Sequence, residues 1–311
     1  MDLINKVFNI SEEFMKNSLY VSINNAYIKD SIERVAEDIK KELKNYKDFW
    51  IGYPKSIIKK DKKNSEYKLV AYELIANSIN YCYWYGRHDI RPNGSSSTLM
   101  YELLDESFLE ADPPFNSNFS SICYDSITIF IKKLSLYGFP NLENRIRHLR
   151  EIQNTIKRDG IDAINTISYK ASKNEMSLEK LMKIIIENYP GYAGDIFLNR
   201  LFLFIMMIYR RTEWFKDEIH KIPIPSDYQI PKMLNYLDCI NYKSILEEKI
   251  RKNEIIQSGS QIECEIRAAS ILVCKELAEK AECSMCDIDT YLWLKRKECK
   301  NPFHLTITTD Y

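Results

Sequence analysis

The chain has 311 residues, 45% of them apolar and 28% charged, and its 44 Lys and Arg residues are matched by 44 Asp and Glu. That length can bury a full core, in one large domain or two fused ones, while zero formal charge argues against a protein that lives on duplex DNA through phosphate contacts. A small anionic ligand needs only a few basic groups. Eight cysteines, behind an opening stretch (Met1 to Ile10) that carries Asp2 and Lys6 and has no long apolar run, predict reduced thiols in a cytoplasmic protein without a signal peptide.

Asp30-Ser-Ile-Glu33 has the capping-box pattern, and Ile32, Val35, Ala36, Ile39 and Leu43 follow on one face, so the spacing predicts a helix over 31–45. Phe49 to Tyr53 is a strand candidate. Leu69 to Tyr83 is a further apolar-rich segment, interrupted by Asn77, Ser78 and Asn80. Ser126 to Leu136 and Asn141 to Ile156 read as helices, separated by Gly138 and Pro140. Leu201 to Tyr209 are nine consecutive apolar or aromatic residues bracketed by Arg200 and Arg210. The run is far shorter than the ~20 residues a bilayer needs, so it predicts a central core helix and no membrane association. A helix starts near Pro231. Another follows the capping pattern Ser260-Gln-Ile-Glu263, with Ile262, Ile266, Ala269, Val273 and Leu277 as its buried stripe. Leu305 to Thr309 is the second strand candidate. The expectation is a mainly α protein with at most a few short strands. It forms a single compact helical unit over 1–311, with two lobes around a cleft as an open alternative and no boundary marked by composition.

Lys221-Ile-Pro-Ile-Pro-Ser-Asp-Tyr-Gln-Ile-Pro231 carries one acidic residue, Asp227, in a segment stiffened by three prolines. Each proline fixes its own φ and pushes the preceding residue towards extended geometry, so the segment presents a carboxylate, either as a functional acid or as a cap for the following helix. Asn80-Tyr-Cys-Tyr-Trp-Tyr85 concentrates aromatic faces and an amide, the chemistry of a nucleobase pocket and equally of a packed core. In Tyr209-Arg-Arg-Thr-Glu213 two arginines leave the end of the apolar helix, placed to clamp a phosphate or to complement the helix terminus. Glu263 is accounted for by capping and by an i,i+4 pair with Arg267. Glu265 lies roughly 80° from the centre of the apolar face, where a side chain can reach into a cleft. Cys283, Cys286, Cys299 and His304 have spacing that admits zinc or an iron–sulfur loop, although the second close cysteine pair of a zinc ribbon is missing. His88, His148 and His220 are isolated.

Taken in order, Asn80-Tyr-Cys-Tyr-Trp84, Ser226-Asp-Tyr-Gln-Ile-Pro-Lys232, Ser258-Gly-Ser with Glu263-Cys-Glu-Ile-Arg267, Tyr291-Leu-Trp293 and Pro302-Phe-His304 to Tyr311 resemble the blocks of the queuosine salvage protein family, the queuosine 5'-phosphate N-glycosylases. The resemblance runs from about residue 70 to Tyr311. It implies a helical fold related to the helix-hairpin-helix DNA glycosylases and release of queuine from queuosine 5'-monophosphate, with no cofactor. It also implies Asp227 as the catalytic carboxylate and Asn80, Tyr81, Trp84, Arg210, Tyr228, Glu265, Arg267 and His304 as substrate-binding residues, with Arg210 on the 5'-phosphate. The chain departs from the family where Arg210 replaces a lysine, and where Gln229 and Lys232 replace the usual arginine and glutamine.

The expected partner is a small-molecule nucleotide, without stable binding to nucleic acid; the oligomeric state is left open. Two alternatives stand beside this reading: a DNA-repair-type base glycosylase, and a base-binding protein without turnover. The first calls for a basic DNA-facing surface and a glycine-rich hairpin before the catalytic acid, and the sequence offers neither.

Overall fold

A computed structural model describes residues 2–46, 65–84, 96–109 and 124–311. The described chain is built almost entirely of helices. They are α1 (Leu3–Lys16), α2 (Ala26–Tyr46), α3 (Ser65–Ser78), α4 (Ser96–Leu109), α5 (Tyr124–Leu136), α6 (Leu142–Asp159), α7 (Ile161–Ser172), α8 (Leu178–Asn188), α9 (Asn199–Thr212), α10 (Gln229–Tyr236), α11 (Ser244–Arg251), α12 (Gln261–Ala281) and α13 (Met285–Lys295).

Two helices form the interior. In α9 the run from Leu201 to Ile208 is buried except at Leu203, as its unbroken hydrophobicity predicts. In α12 even the polar residues Glu263, Glu265, Arg267 and Ser270 are buried. Helices α1, α2, α10 and α13 pack on α12, while α3 joins α9 to α6 and α7.

Helix α2 starts earlier than its sequence pattern implies. The Ile28 amide donates to Asn25 Oδ1 at 2.8 Å, so Asn25 caps the helix and Asp30 lies within its second turn. The predicted apolar face is nonetheless the buried one, through Ile28, Ile32, Val35, Ala36 and Ile39. At α12 the Ser260 hydroxyl accepts from the Glu263 amide at 3.4 Å, but the Glu263 carboxylate accepts from the Gly259 amide at 3.2 Å, one residue before the position a capping box requires.

The one sheet among the described residues is an antiparallel pair, β1 (Val21–Ser22) with β2 (Asn241–Tyr242). Two-residue strands are too short to show alternation, and the sequence signals neither. The Phe49 to Tyr53 candidate lies outside the described residues. Leu305 to Thr309 forms no strand; it makes one parallel bridge, Ile255 to Leu305, and otherwise runs as extended chain. Its backbone is used by side chains: Arg200 donates to the Thr309 carbonyl and the Asn199 amide group to that of Asp310. No described helix is long and apolar enough to cross a membrane.

Candidate active site

Ile222 to Ser226 is buried extended chain that delivers Asp227 to the start of α10. Asp227 Oδ1 accepts hydrogen bonds from the Gln229 amide at 2.7 Å and the Ile230 amide at 3.1 Å. One oxygen therefore caps the helix, and Oδ2 has no hydrogen-bond partner among the described residues. The two readings of this residue are compatible: capping fixes the carboxylate and leaves one oxygen to work with. A helix N-terminus alone favours the ionised form. Here burial outweighs that preference and pushes the Asp227 pKa up to about 6, against the pull of the two amides, with Asp289 adding repulsion and Arg296 attraction.

The approach to Asp227 is held from behind by Arg267. Its Nε donates to the Ser226 carbonyl at 3.1 Å, its two terminal nitrogens grip Asp195 at 2.9 and 2.5 Å, and Nη1 also reaches Glu263 at 3.0 Å. The guanidinium lies between the rings of Phe197, at 4.7 Å, and Tyr311, at 4.6 Å. Tyr311 in turn donates to Glu263 at 2.8 Å and stands 3.5 Å from His304 Nε2. Burial, with the neighbouring Arg267, drives the His304 pKa down to about 3, so the imidazole is neutral.

The aromatic block is fixed by a residue that sequence reasoning missed. Arg145, fully buried in α6, donates to the carbonyls of Pro140 at 3.0 Å, Ile79, and Tyr81 at 2.7 Å. Tyr81 lies buried near two guanidiniums, with the Arg145 carbon 4.5 Å and the Arg200 carbon 5.2 Å from its ring centre. The backbone then turns through a left-handed Cys82 (φ 44°), whose amide donates to the Tyr311 carbonyl at 2.8 Å. The turned segment meets the Asp227 segment. The Tyr228 phenol is hydrogen-bonded to the Tyr83 backbone and its ring stacks on Phe303 at 4.6 Å, while Tyr83 donates to Asn80 Oδ1 at 2.6 Å. Trp84 is half-buried at the end of the block.

This arrangement gathers a carboxylate with one open oxygen, two aromatic segments and an amide into one place, which is what a site for a base and its glycosidic bond requires. A family model described as "Queuosine salvage protein" matches residues 59–311. The chain belongs to the queuosine salvage protein family. Several curated proteins named queuosine 5'-phosphate N-glycosylase/hydrolase are similar to it along most of their length. That of Mus musculus is 24% identical over 290 residues, covering 81% of this chain and 85% of the relative. That of Dictyostelium discoideum is 25% identical over 329 residues, covering 94% and 95%. That of Sphaerobacter thermophilus is 24% identical over 269 residues, covering 78% and 81%.

Two residues assigned to substrate from the queuosine salvage blocks are engaged by the protein itself. Glu265 is fully buried and accepts from Ser18 Oγ at 2.7 Å, the Leu19 amide at 3.0 Å, the Tyr20 amide at 2.7 Å and Gln261 Nε2 at 2.9 Å. It anchors the chain between α1 and β1. Arg210 donates to Asp289 at 2.6 Å, Thr290 at 2.9 Å and the Cys286 carbonyl at 3.1 Å, and its side chain is only 7% exposed. Asp289, buried in α13, is the second carboxylate near Asp227, and its sequence surroundings gave no sign of it.

Cys283, Cys286, Cys299 and His304 do not converge, and among the described residues no three His, Cys, Asp or Glu side chains are grouped to hold a metal. Tyr85, Gly86 and His88 lie outside the described residues. His148 is buried edge-on against Tyr81, with ring centres 5.5 Å apart, and His220 sits exposed in a short turn.

Proposed function

We propose that this chain is an N-glycosidase that hydrolyses the base–ribose bond of queuosine 5'-monophosphate, or a related 7-deazaguanine nucleotide, releasing queuine for salvage into tRNA. The observation that carries the reading is Asp227: one oxygen tied to the start of α10, the other open, beside Tyr228 and the Asn80 to Trp84 block. Family membership supplies the reaction class.

Breaking an N-glycosidic bond passes through a ribosyl-cation-like state. A carboxylate beside C1' stabilises that charge and can take a proton from the attacking water. With a pKa of about 6, Asp227 is mostly ionised at neutral pH and still basic enough for proton abstraction. A 7-deazapurine has carbon at position 7, so protonation there cannot assist departure of the base. Leaving-group help has to come from hydrogen bonds elsewhere on the ring, and Asn80 with the faces of Trp84 and Tyr228 are the groups proposed for it. Tyr81, Arg267 and His304 support this surface from the interior, Arg267 through the Ser226 carbonyl. Glu265 is given a structural role.

Incubation with queuosine 5'-monophosphate, queuosine and a base-modified oligonucleotide, with mass detection of free base, tests the reading. Release from the monomeric compounds is expected. Release from the oligonucleotide alone indicates a DNA-type glycosylase, and release from none indicates a binding protein.

A further inference from the structure

Three arginines of the interior are neutralised by carboxylates. Arg210 pairs with Asp289 at 2.6 Å, Arg211 with Glu73 at 2.5 Å, and Arg267 with Asp195 and Glu263 at 2.5 and 3.0 Å. Two other cations are not. Arg296, just after α13, lies over the indole of Trp293 with its guanidinium carbon 3.5 Å from the ring centre and donates to the Trp293 carbonyl. Lys232 stands one turn into α10, on the same face as Tyr228 by the i,i+4 relation. Both are half-buried, neither forms an ion pair among the described residues, and α10 packs directly on α13.

We infer that Lys232 and Arg296 form the subsite for the substrate's phosphoryl group, the role that the sequence had given to Arg210. The inference rests on the nucleotide reading proposed above. A guanidinium held over an indole and by one carbonyl keeps further N–H donors for the paired hydrogen bonds a phosphate accepts. Lys232 adds a point charge from the neighbouring helix, at a position where the family blocks carry glutamine. Burial and mutual repulsion lower the proton affinity of Lys232, and burial lowers that of Arg296. An arriving dianion relieves both effects. Arg296 is also close enough to Asp227 for their charges to interact, which places the subsite beside the reacting carboxylate.

The test compares binding of queuosine 5'-monophosphate and queuosine, by calorimetry in the Asp227→Asn background so that neither is consumed. Lys232→Gln, Arg296→Gln, Arg296→Lys and the double Gln variant are each compared with that parent. The parent should prefer the nucleotide at least tenfold. Each Gln variant should lose most of that preference and the double variant nearly all of it, with nucleoside affinity changed less than twofold. Arg296→Lys, which keeps the charge, should retain part of it. Equal losses for nucleotide and nucleoside, identical behaviour of Arg296→Lys and Arg296→Gln, or an unchanged preference in the double variant overturns the subsite. Thermal melting of each variant identifies any that fails to fold, and the other variants then carry the comparison. Failure of the wild-type protein to release base contradicts the hydrolase reading alone, because the binding ratio in the Asp227→Asn background still reads the subsite.

Discussion

Asp227 shows what one side chain has to reconcile. Its carboxylate is buried enough to resist ionisation, yet Oδ1 is held by two amides. Asparagine keeps an oxygen acceptor for those amides and removes the charge. Asp227→Asn should therefore melt several degrees higher at pH 7.5, because the folded protein no longer carries a buried anion. The sign follows from linkage. A carboxyl whose folded pKa is raised from 3.8 to about 6 binds its proton more readily when folded, so it costs stability above about pH 6 and that cost fades towards pH 4. The melting difference between wild type and variant should shrink over that window; a constant difference contradicts it. Base release by the wild type should fall as pH drops through about 6. Arg267 acts one step back. Arg267→Lys keeps a charge but cannot hold Asp195 with two parallel bonds while donating to the Ser226 carbonyl. Steady-state kinetics should show kcat lowered about 10-fold or more with a smaller change in KM, as expected for a displaced catalytic group. An unchanged kcat contradicts the positioning role.

At the scale of elements, periodicity was readable and tertiary partners were not. The apolar stripes of α2 and α12 and the solid run of α9 mark buried helices in the sequence itself. The cap of α2 was misread because Asp30-Ser-Ile-Glu33 fits a capping box, whereas Asn25, with no acidic residue three positions on, does the work. Glu265 illustrates a further limit. Its angle on the helix places it at the edge of the apolar face, but that angle cannot tell whether it meets a ligand or, as it does, the backbone of residues 19 and 20. Glu265→Ala strands these donors inside the protein. It should lower stability by roughly 3–5 kcal/mol in urea unfolding, with the KM of the folded fraction unchanged. A variant of normal stability and raised KM favours the substrate-binding role instead. Arg145 was invisible for the same reason: its acceptors are main-chain carbonyls contributed by other segments.

Across the whole molecule, residues 302–311 tie the site to the core, with backbone or side-chain bonds to Cys82, Arg200, Asn199 and Glu263. The block order in the sequence made the family legible, while the convergence of these distant blocks depends on how α6, α9 and α12 pack. Two histidines enclosed in this interior set its acid response. His148 and His304 have pKa values lowered from 6.5 to about 3, so they are neutral when folded and protonate more readily when unfolded. Their contribution is intact above pH 6.5 and is lost as pH falls towards 3. Asp227 works in the opposite direction below about pH 6, but as one group against two. Urea midpoints should fall steadily from pH 7 to pH 5; a flat profile contradicts the burial of neutral imidazoles.

The central claim is that the open oxygen of Asp227 performs the hydrolysis. It is tested most directly by mass detection of free queuine after incubating wild-type and Asp227→Asn protein with queuosine 5'-monophosphate. Release by the wild type and a loss of at least 1,000-fold in a folded Asp227→Asn protein is the predicted result, on the scale of losing a catalytic acid–base group together with its charge. Near-wild-type release by the folded variant contradicts the account.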